Sequence, residues 1–574
     1  MNGIQVAAMA LAFCAGGRTM AQWTFEGNQA PTWEETIARY QQMDSLYSGA
    51  KLLTIGQDDG GQPIHLFVLS DGASFTPDSI RAAGKNILWI TNAIHPGEPD
   101  GVDASLLLAQ ALLDSDQLMG LLNHSAVCIV PVYNVSGYLN RGSWSRANQN
   151  GPEEYGFRGN AKYLDLNRDF MKMDSRNMQA MAQALAYWDP DIYFETHVSD
   201  GADHRYIMAL LTTERSKLAF PLFRYMLGTL LPIQYQWMGD KDMTMCPYFE
   251  LMGDSPEEGL RSFYDSPRYS TGYNALFNRV AMLSESHVLK PYADRVNATF
   301  QLLLGTLAAM DREPDALRMA RQQAKEFTAE QDAFGINLVL DTSAVDSMPW
   351  LGYTVRREKS RVTGLQRIRY DHGAPTSTVV GWHTAWQPSH EVIKPKAYLI
   401  PGQWEAVVRR LEWSGVPMVR LEQDTVLHVQ QDSIADFQTV PMAYEGHYLH
   451  RNIQRTRKGK MWPAKSGDVL VPMGQATDRY VVEALESRAE DGFFAWNFFD
   501  GVLQQKEWFD DYVFEDMAAD MLEKDPALKE AFEAKRQAEP EFAASAWAQL
   551  IWLYRRSPWM EPGFRKYPVL RVME

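Results

Sequence analysis

The sequence predicts an α/β protein: a mixed, largely parallel sheet flanked by helices, followed by a second, mixed α/β accessory region. Four short apolar runs, residues 87–90, 126–132, 192–195 and 280–283, alternate with polar loops and with stretches whose apolar residues recur at helical spacing. That is the order of strand, loop and helix in α/β units. Three of the runs deliver a chemically useful side chain just past their carboxyl ends: His95, His197 and Glu285, 102 and 88 residues apart in sequence. Open α/β sheets collect ligands at that edge. Packing alone gives no reason for three such groups to arrive there.

The elements follow in order. Residues 32–47 read as a helix with Thr32 as N-cap and Glu34 and Glu35 in its first turn. Residues 52–55 and 64–69 flank an Asp58-Asp59-Gly60-Gly61 turn and read as a hairpin. The strand at 87–90 breaks into a Gly/Pro turn carrying His95, and residues 103–113 then repeat Leu and Ala at helical spacing. A second buried strand ends at Tyr133-Asn134 and opens a long polar loop of the kind that is usually functional. Residues 178–188 are helical and stop at Asp189-Pro190 before the strand that delivers His197. A helical region near 218–231 and a Pro/Tyr/Gly-rich loop at 245–273 precede the run that delivers Glu285.

Length and composition bound the rest. At roughly 150 residues per domain, 574 residues suggest two to four domains. A content of 45% hydrophobic and 22% charged residues is that of a globular protein. Residues 6–15 are apolar but too few to span a bilayer, and Thr19-Met20-Ala21 follows, so the start resembles a secretory signal peptide cut after Ala21. Its lack of Lys or Arg before the apolar run also fits an ordinary N-terminal segment. Export to the periplasm or medium is the expectation. No later stretch is long and apolar enough for a transmembrane helix. Losing residues 1–21 removes one Arg and no acid, taking the formal charge from −17 to −18. Such an acidic chain is a poor general binder of nucleic acid or anionic membrane. Cys14 would leave with the leader; Cys128 and Cys246 could pair, although Cys128 sits in an apolar run as a buried thiol would.

His95 and Glu98 stand three residues apart on a turn after a buried strand. An imidazole and a carboxylate so placed can bind one zinc ion while leaving room for a further protein ligand and an open position, the arrangement of a catalytic site. With His95-Pro-Gly-Glu98, Leu166-Asn167-Arg168, Glu195-Thr-His197 and Leu283-Ser-Glu285 in this order, the chain resembles the zinc carboxypeptidase (carboxypeptidase A-like) family over roughly residues 30–315. The resemblance implies one zinc held by His95, Glu98 and His197, with Glu285 as general base on the activated water. It further implies that Asn167 and Arg168 grip the terminal carboxylate of a peptide, and that a loop arginine, best matched by Arg146, stabilises the carbonyl oxygen as it gains charge. Asp169 departs from the second Asn of many members, and the tyrosine that closes over substrate is open among Tyr264, Tyr269 and Tyr273. His204 is expected to be an outer or surface group and His287 a packing residue.

Past residue 315 a polar helix at 318–331 leads out of this unit. Residues 397–400, 404–413 and 417–421 read as strand, helix and strand, and 468–472 with 477–487 as another strand and helix. The basic stretch 451–465 reads as a solvated loop, and helical runs near 515–556 pack on one of the two units. The expected organisation is a leader at 1–21, a catalytic unit at 22–320 and an accessory region at 321–574. Long C-terminal extensions make the chain similar to exported bacterial members of the family. The leading expectation is an enzyme that removes C-terminal residues from peptides. The alternatives are a zinc amidase or deacylase acting on cell-wall or other amides, and a non-catalytic peptide binder with a residual zinc site.

Overall fold

The computed structural model describes residue 23, residues 27–72 and residues 75–573. The expected leader at 1–21, with Cys14, lies outside the described residues. In chain order the strands of the first half are β1 (Ala50–Gln57), β2 (Pro63–Leu69), β3 (Asn86–Thr91), β4 (Ser125–Val130), β5 (Ile192–Ser199), β6 (Met208–Thr212), β7 (Met245–Pro247), β8 (Phe249–Leu251), β9 (Leu260–Ser262) and β10 (Val280–His287). Eight of them form the main sheet in the order β1-β2-β4-β3-β5-β10-β6-β7. Its centre, β4-β3-β5-β10, is parallel, while β2 and β6 run antiparallel to it on either side.

Both faces of this centre are covered, which is why its strands read as continuous apolar runs. Leu88, Ile90, Ile192, Phe194, Val280 and Met282 point to one face, where the helices Asp100–Asp114 and Tyr292–Arg312 bring Leu108, Leu112, Leu303 and Leu307. Ile87, Trp89, Tyr193 and Ala281 point to the other, against Met178, Met181 and Leu185 of helix Arg176–Trp188. Local signals end these elements as the sequence suggests. Thr32 and Glu35 form a reciprocal capping box on helix Trp33–Leu46, and Asp189 turns left-handed (φ 43°) after Trp188.

The expected strand ends need correction. β5 and β10 run on to Ser199 and His287, so His197 and Glu285 stand inside the strands. Polar residues hid the extension from a hydropathy reading. Thr196 Oγ1 donates to Asn92 Oδ1 at 2.9 Å, and Ser286 Oγ donates to Asp100 Oδ2 at 2.7 Å, so they remain in the buried ladder with their hydrogen bonds satisfied. The loop at 245–273 carries β7, β8 and β9.

The second half holds β11 (Ala333–Leu340), β12 (Asp346–Lys359), β13 (Gln366–His383), β14 (Trp386–Ile393), β15 (Ala397–Ile400), β16 (Val419–Arg420), β17 (Thr425–Thr439), β18 (His450–Ala464), β19 (Val469–Pro472) and β20 (Leu570–Val572). β12 and β13 form a long hairpin that joins β9 and β8, and β16-β19-β15-β20-β17-β18 form a six-stranded sheet. The basic stretch 451–465 is thus strand β18 and not a loop. Arg457 of that strand pairs with buried Asp432 and Glu486, so its charges serve a ladder. Helices Asp511–Lys524, Pro526–Ala538 and Ala546–Tyr554 build a small core of their own around Phe514, Phe532 and Leu550. Cys128 and Cys246 are both buried free thiols.

Candidate metal centre and active site

Parallel pairing of β5 with β10 sets His197 directly beside Glu285, on the same face of the sheet. His95 and Glu98 arrive on the turn after β3, the neighbour of β5 on its other side. Gly97 within that turn has a packing reason: a Cβ there would lie 2.2 Å from Nε of Arg146, which crosses over it. One ligand atom from each of His95, Glu98 and His197 lies within 4.8 Å of the others, and all three residues are buried.

Each imidazole is oriented from behind. His95 Nε2 is 2.9 Å from Asp165 Oδ1, and His197 Nε2 is 2.7 Å from Glu195 Oε2. Glu195 is itself fixed by Tyr193, whose hydroxyl donates at 2.8 Å, and by the Ser270 hydroxyl at 2.5 Å. Both Nδ1 atoms are thereby turned to Glu98: His197 Nδ1 is 3.0 Å from Oε2, and His95 Nδ1 is 3.3 Å from Oε1. The latter contact lacks hydrogen-bond geometry, leaving His95 Nδ1 a buried polar atom without a partner.

The charges around this point ask for a cation. Burial opposes ionisation of Glu98, but Arg146, His95 and His197 outweigh it and hold its carboxyl well below the usual range. Burial likewise opposes a charged His197, yet Glu195 and Glu98 raise its imidazole well above the usual value. Two nitrogens and a carboxylate converging on one spot, each nitrogen backed by a second carboxylate, fit zinc and its preferred outer shell.

These groups line one wall of a cavity of about 670 Å³. Glu285, half-buried, faces the same space; burial, reinforced by Glu98 and opposed by His197 and Arg158, raises its carboxyl to about 8. Asn167 and Arg168 line the cavity as well. Asn167 is held by Ser270 N–H, which donates to its Oδ1 at 2.9 Å. Arg168 lies 4.4 Å over the Tyr269 ring and donates from NH1 to the Asn167 carbonyl at 2.8 Å. Arg146 is present too, with NH2 2.7 Å from Glu98 Oε1 and NH1 3.1 Å from Gln149 Oε1.

Of the three candidate tyrosines, Tyr269 alone lines this cavity. The Tyr264 hydroxyl donates to Glu490 and that of Tyr273 to Ser414 Oγ at 3.1 Å, both away from it. Tyr248, Phe263 and Arg158 also line it and were not singled out from the sequence. Asp165 and Glu195 were missed as orienting groups, although each lies two residues from a named site residue. His204 and His287 are buried together, ring centroids 4.5 Å apart, so His204 is no surface group.

Residues 37–192 match the family described as zinc carboxypeptidase. The matched span contains His95, Glu98, Arg146, Asn167 and Arg168. Among solved structures the chain is similar to a metallo-carboxypeptidase from Burkholderia cenocepacia, at 16% identity over 49% of this chain and 70% of that one, with a TM-score of 0.38. It is similar to the Pseudomonas aeruginosa metallo-carboxypeptidase in complex with (2-guanidinoethylmercapto)succinic acid, at 16% identity over 50% and 70%, TM-score 0.37. It is also similar to carboxypeptidase A from Helicoverpa armigera, at 15% identity over 52% and 74%, TM-score 0.37. No curated protein matches the sequence. Two of the four motifs, those around His95 and Asn167, fall inside the matched span, and it is the segment at 37–192 that is similar to the zinc carboxypeptidase family.

Proposed function

We propose that this protein is a zinc-dependent metallocarboxypeptidase that hydrolyses C-terminal residues from peptides carrying a free terminal carboxylate. The observation that carries the reading is one cavity with a metal donor set, a carboxylate of raised proton affinity and a guanidinium-amide pair on its walls. His95 Nδ1, Glu98 and His197 Nδ1 would hold the zinc. When bound, zinc supplies Lewis acidity, stabilising negative charge on oxygen and making water a nucleophile near neutral pH.

The chain's own groups do the rest. Glu285, directly beside His197 on the neighbouring strand and facing the cavity, accepts the proton of the attacking water and returns it to the leaving amine. Arg168 and Asn167 offer planar donors to the terminal carboxylate and so set which bond lies at Glu285. Arg146 pairs with Glu98 here, and with Glu98 engaged in holding a metal its guanidinium would be free to face the carbonyl oxygen. Tyr248, Phe263, Tyr269 and Leu283 give the wall around the last side chain an aromatic and apolar character. No helix among the described residues is long and apolar enough to cross a membrane, and export is proposed from residues 1–21 alone.

The test is a pair of peptides identical but for a free or amidated C-terminus. Removing one partner of a desolvated charge pair costs about 2–5 kcal/mol, so efficiency on the amide should fall roughly 30- to several-thousand-fold. Equal cleavage of both would sink the carboxypeptidase reading in favour of an amidase or deacylase.

A further inference from the structure

The loop joining β17 to β18, residues 440–449, reaches from the accessory region to the donors behind the cavity. Its tip is a tight turn: Tyr444 and His447 exchange backbone hydrogen bonds at 2.8 and 3.0 Å around Glu445 (φ 50°) and Gly446 (φ 82°). Glycine accepts that backbone freely, and Asn or Asp is the usual residue before it in such turns. Glutamate at 445 is locally unfavourable. Its carboxylate has a destination, however, because Oε2 accepts the backbone N–H of Asp165 at 2.8 Å. Tyr444 beside it accepts a hydrogen bond from Arg168 Nε at 3.0 Å. The tip is seated by His447 Nε2, 2.6 Å from Asp174 Oδ2, and by Tyr444 stacking on Trp496.

We propose that Tyr444 and Glu445 are positioning residues of the active site, so that the subsite for the substrate's terminal carboxylate is complete only with the accessory hairpin in place. The inference rests on the carboxypeptidase reading and gives the C-terminal extension a task within it. Both contacts fall on the segment 165–168, which carries the group that orients His95 at one end and the carboxylate-binding guanidinium at the other. Tyr444 takes up Nε of Arg168, and the Asn167 carbonyl takes up NH1. The guanidinium plane is thereby fixed from two sides, with the Tyr269 ring beneath it. A side chain held in this way loses less rotamer freedom when the substrate's carboxylate arrives. A turn residue that is costly for its own backbone, yet reaches a specific backbone donor across the molecule, is the signature of strain kept for function.

The experiment uses the full-length, zinc-loaded protein and the free-acid and amidated peptides. Tyr444→Phe keeps the ring and its stacking and removes only the acceptor. For the acid peptide KM should rise about tenfold with kcat within about twofold, while cleavage of the amide is unchanged. Glu445→Asn suits the turn better but is too short to reach Asp165. Its melting temperature should hold or rise while efficiency on the acid peptide falls about tenfold. A purely structural role predicts the reverse, a lower melting temperature with full activity of the folded protein, and that result, like full activity at an unchanged melting temperature, would overturn the proposal. So would a Tyr444→Phe enzyme that keeps the wild-type acid-to-amide ratio or loses both activities equally. If the wild type itself does not discriminate acid from amide, the carboxypeptidase reading fails and this proposal falls with it. A discriminating wild type beside an unchanged Tyr444→Phe variant overturns this proposal alone.

Discussion

Glu285 holds its proton more tightly than usual, because burial, reinforced by Glu98, outweighs the opposing His197 and Arg158. Glu285→Gln keeps the shape and removes the acceptor. It should bind zinc normally and lose about 10²- to 10⁴-fold in turnover, checked by metal analysis beside single-turnover kinetics. The same group makes a pH prediction for the metal-free protein. Its carboxyl is raised from 4.5 to about 8, so the folded state binds this proton more tightly than the unfolded state. Its contribution to stability is therefore lost as pH climbs from about 4.5 towards about 8 and is level beyond. The gain in melting temperature from Glu285→Gln should grow between pH 5 and pH 8, and a constant difference would contradict the assignment. Glu195 acts one step further out. Glu195→Gln weakens the orientation of His197, and zinc affinity measured by chelator competition should fall about 10- to 100-fold.

At the scale of elements, Arg295 fixes the frame on which the site stands. Fully buried in helix Tyr292–Arg312, it pairs with Asp100 at the start of helix Asp100–Asp114 through Nε at 2.8 Å and NH2 at 3.2 Å. It also donates to the carbonyls of Gly151, Val288 and Lys290, tying the polar loop and the end of β10 to that helix. Removing one member of a buried pair leaves the other charge uncompensated. Arg295→Ala should cost about 3–5 kcal/mol, measured by urea unfolding. A loss below about 1 kcal/mol would show that the loop and strand end are held elsewhere. Gly101, next to Asp100, is equally constrained, because a Cβ there would lie 1.9 Å from Thr196 Oγ1 on the strand that carries His197.

Across the whole molecule, the accessory region and the catalytic sheet share one core. Tyr398, Val408, Tyr480 and Trp496 belong to the same cluster as Trp89, Tyr193 and Tyr273. Polar ties reinforce it: Arg410 Nε donates to the Lys172 carbonyl at 2.5 Å, and Arg268 pairs with Asp491 at 2.7 Å. The division into a catalytic unit to residue 320 and an accessory region beyond it is thus proposed as an organisation of tasks and not of independent folding. A chain ending at residue 320 leaves Tyr273 and Phe277 without Tyr480, which packs on both rings, and should aggregate or fail to show near-UV dichroism, while the full chain should unfold these parts in one transition. A soluble, zinc-binding and well-ordered 22–320 fragment would refute the shared-core account.

The sequence by itself marked the central elements and three residues that could hold a metal ion. Apolar runs marked β3, β4, β5 and β10; Thr32, Asp189 and Pro190 marked helix ends; and the motifs around His95, Asn167, His197 and Glu285 named a family. These are local signals, because periodicity, capping and turn chemistry act within a few residues. The tertiary structure decided what depends on distance. It set the parallel register that puts His197 beside Glu285, and it selected Tyr269 over Tyr264 and Tyr273 at the cavity. It turned a basic stretch expected to be a loop into strand β18, where Arg457 answers Asp432 across the ladder from β17 and Glu486 beyond helix Asp478–Leu485. Burial of Asp165 and Glu195 behind the histidines, and the arrival of Tyr444 and Glu445 from 276 and 280 residues away, leave no trace in local pattern. A carboxylate's partner is chosen by the fold that surrounds it, and only the folded chain brings the two together.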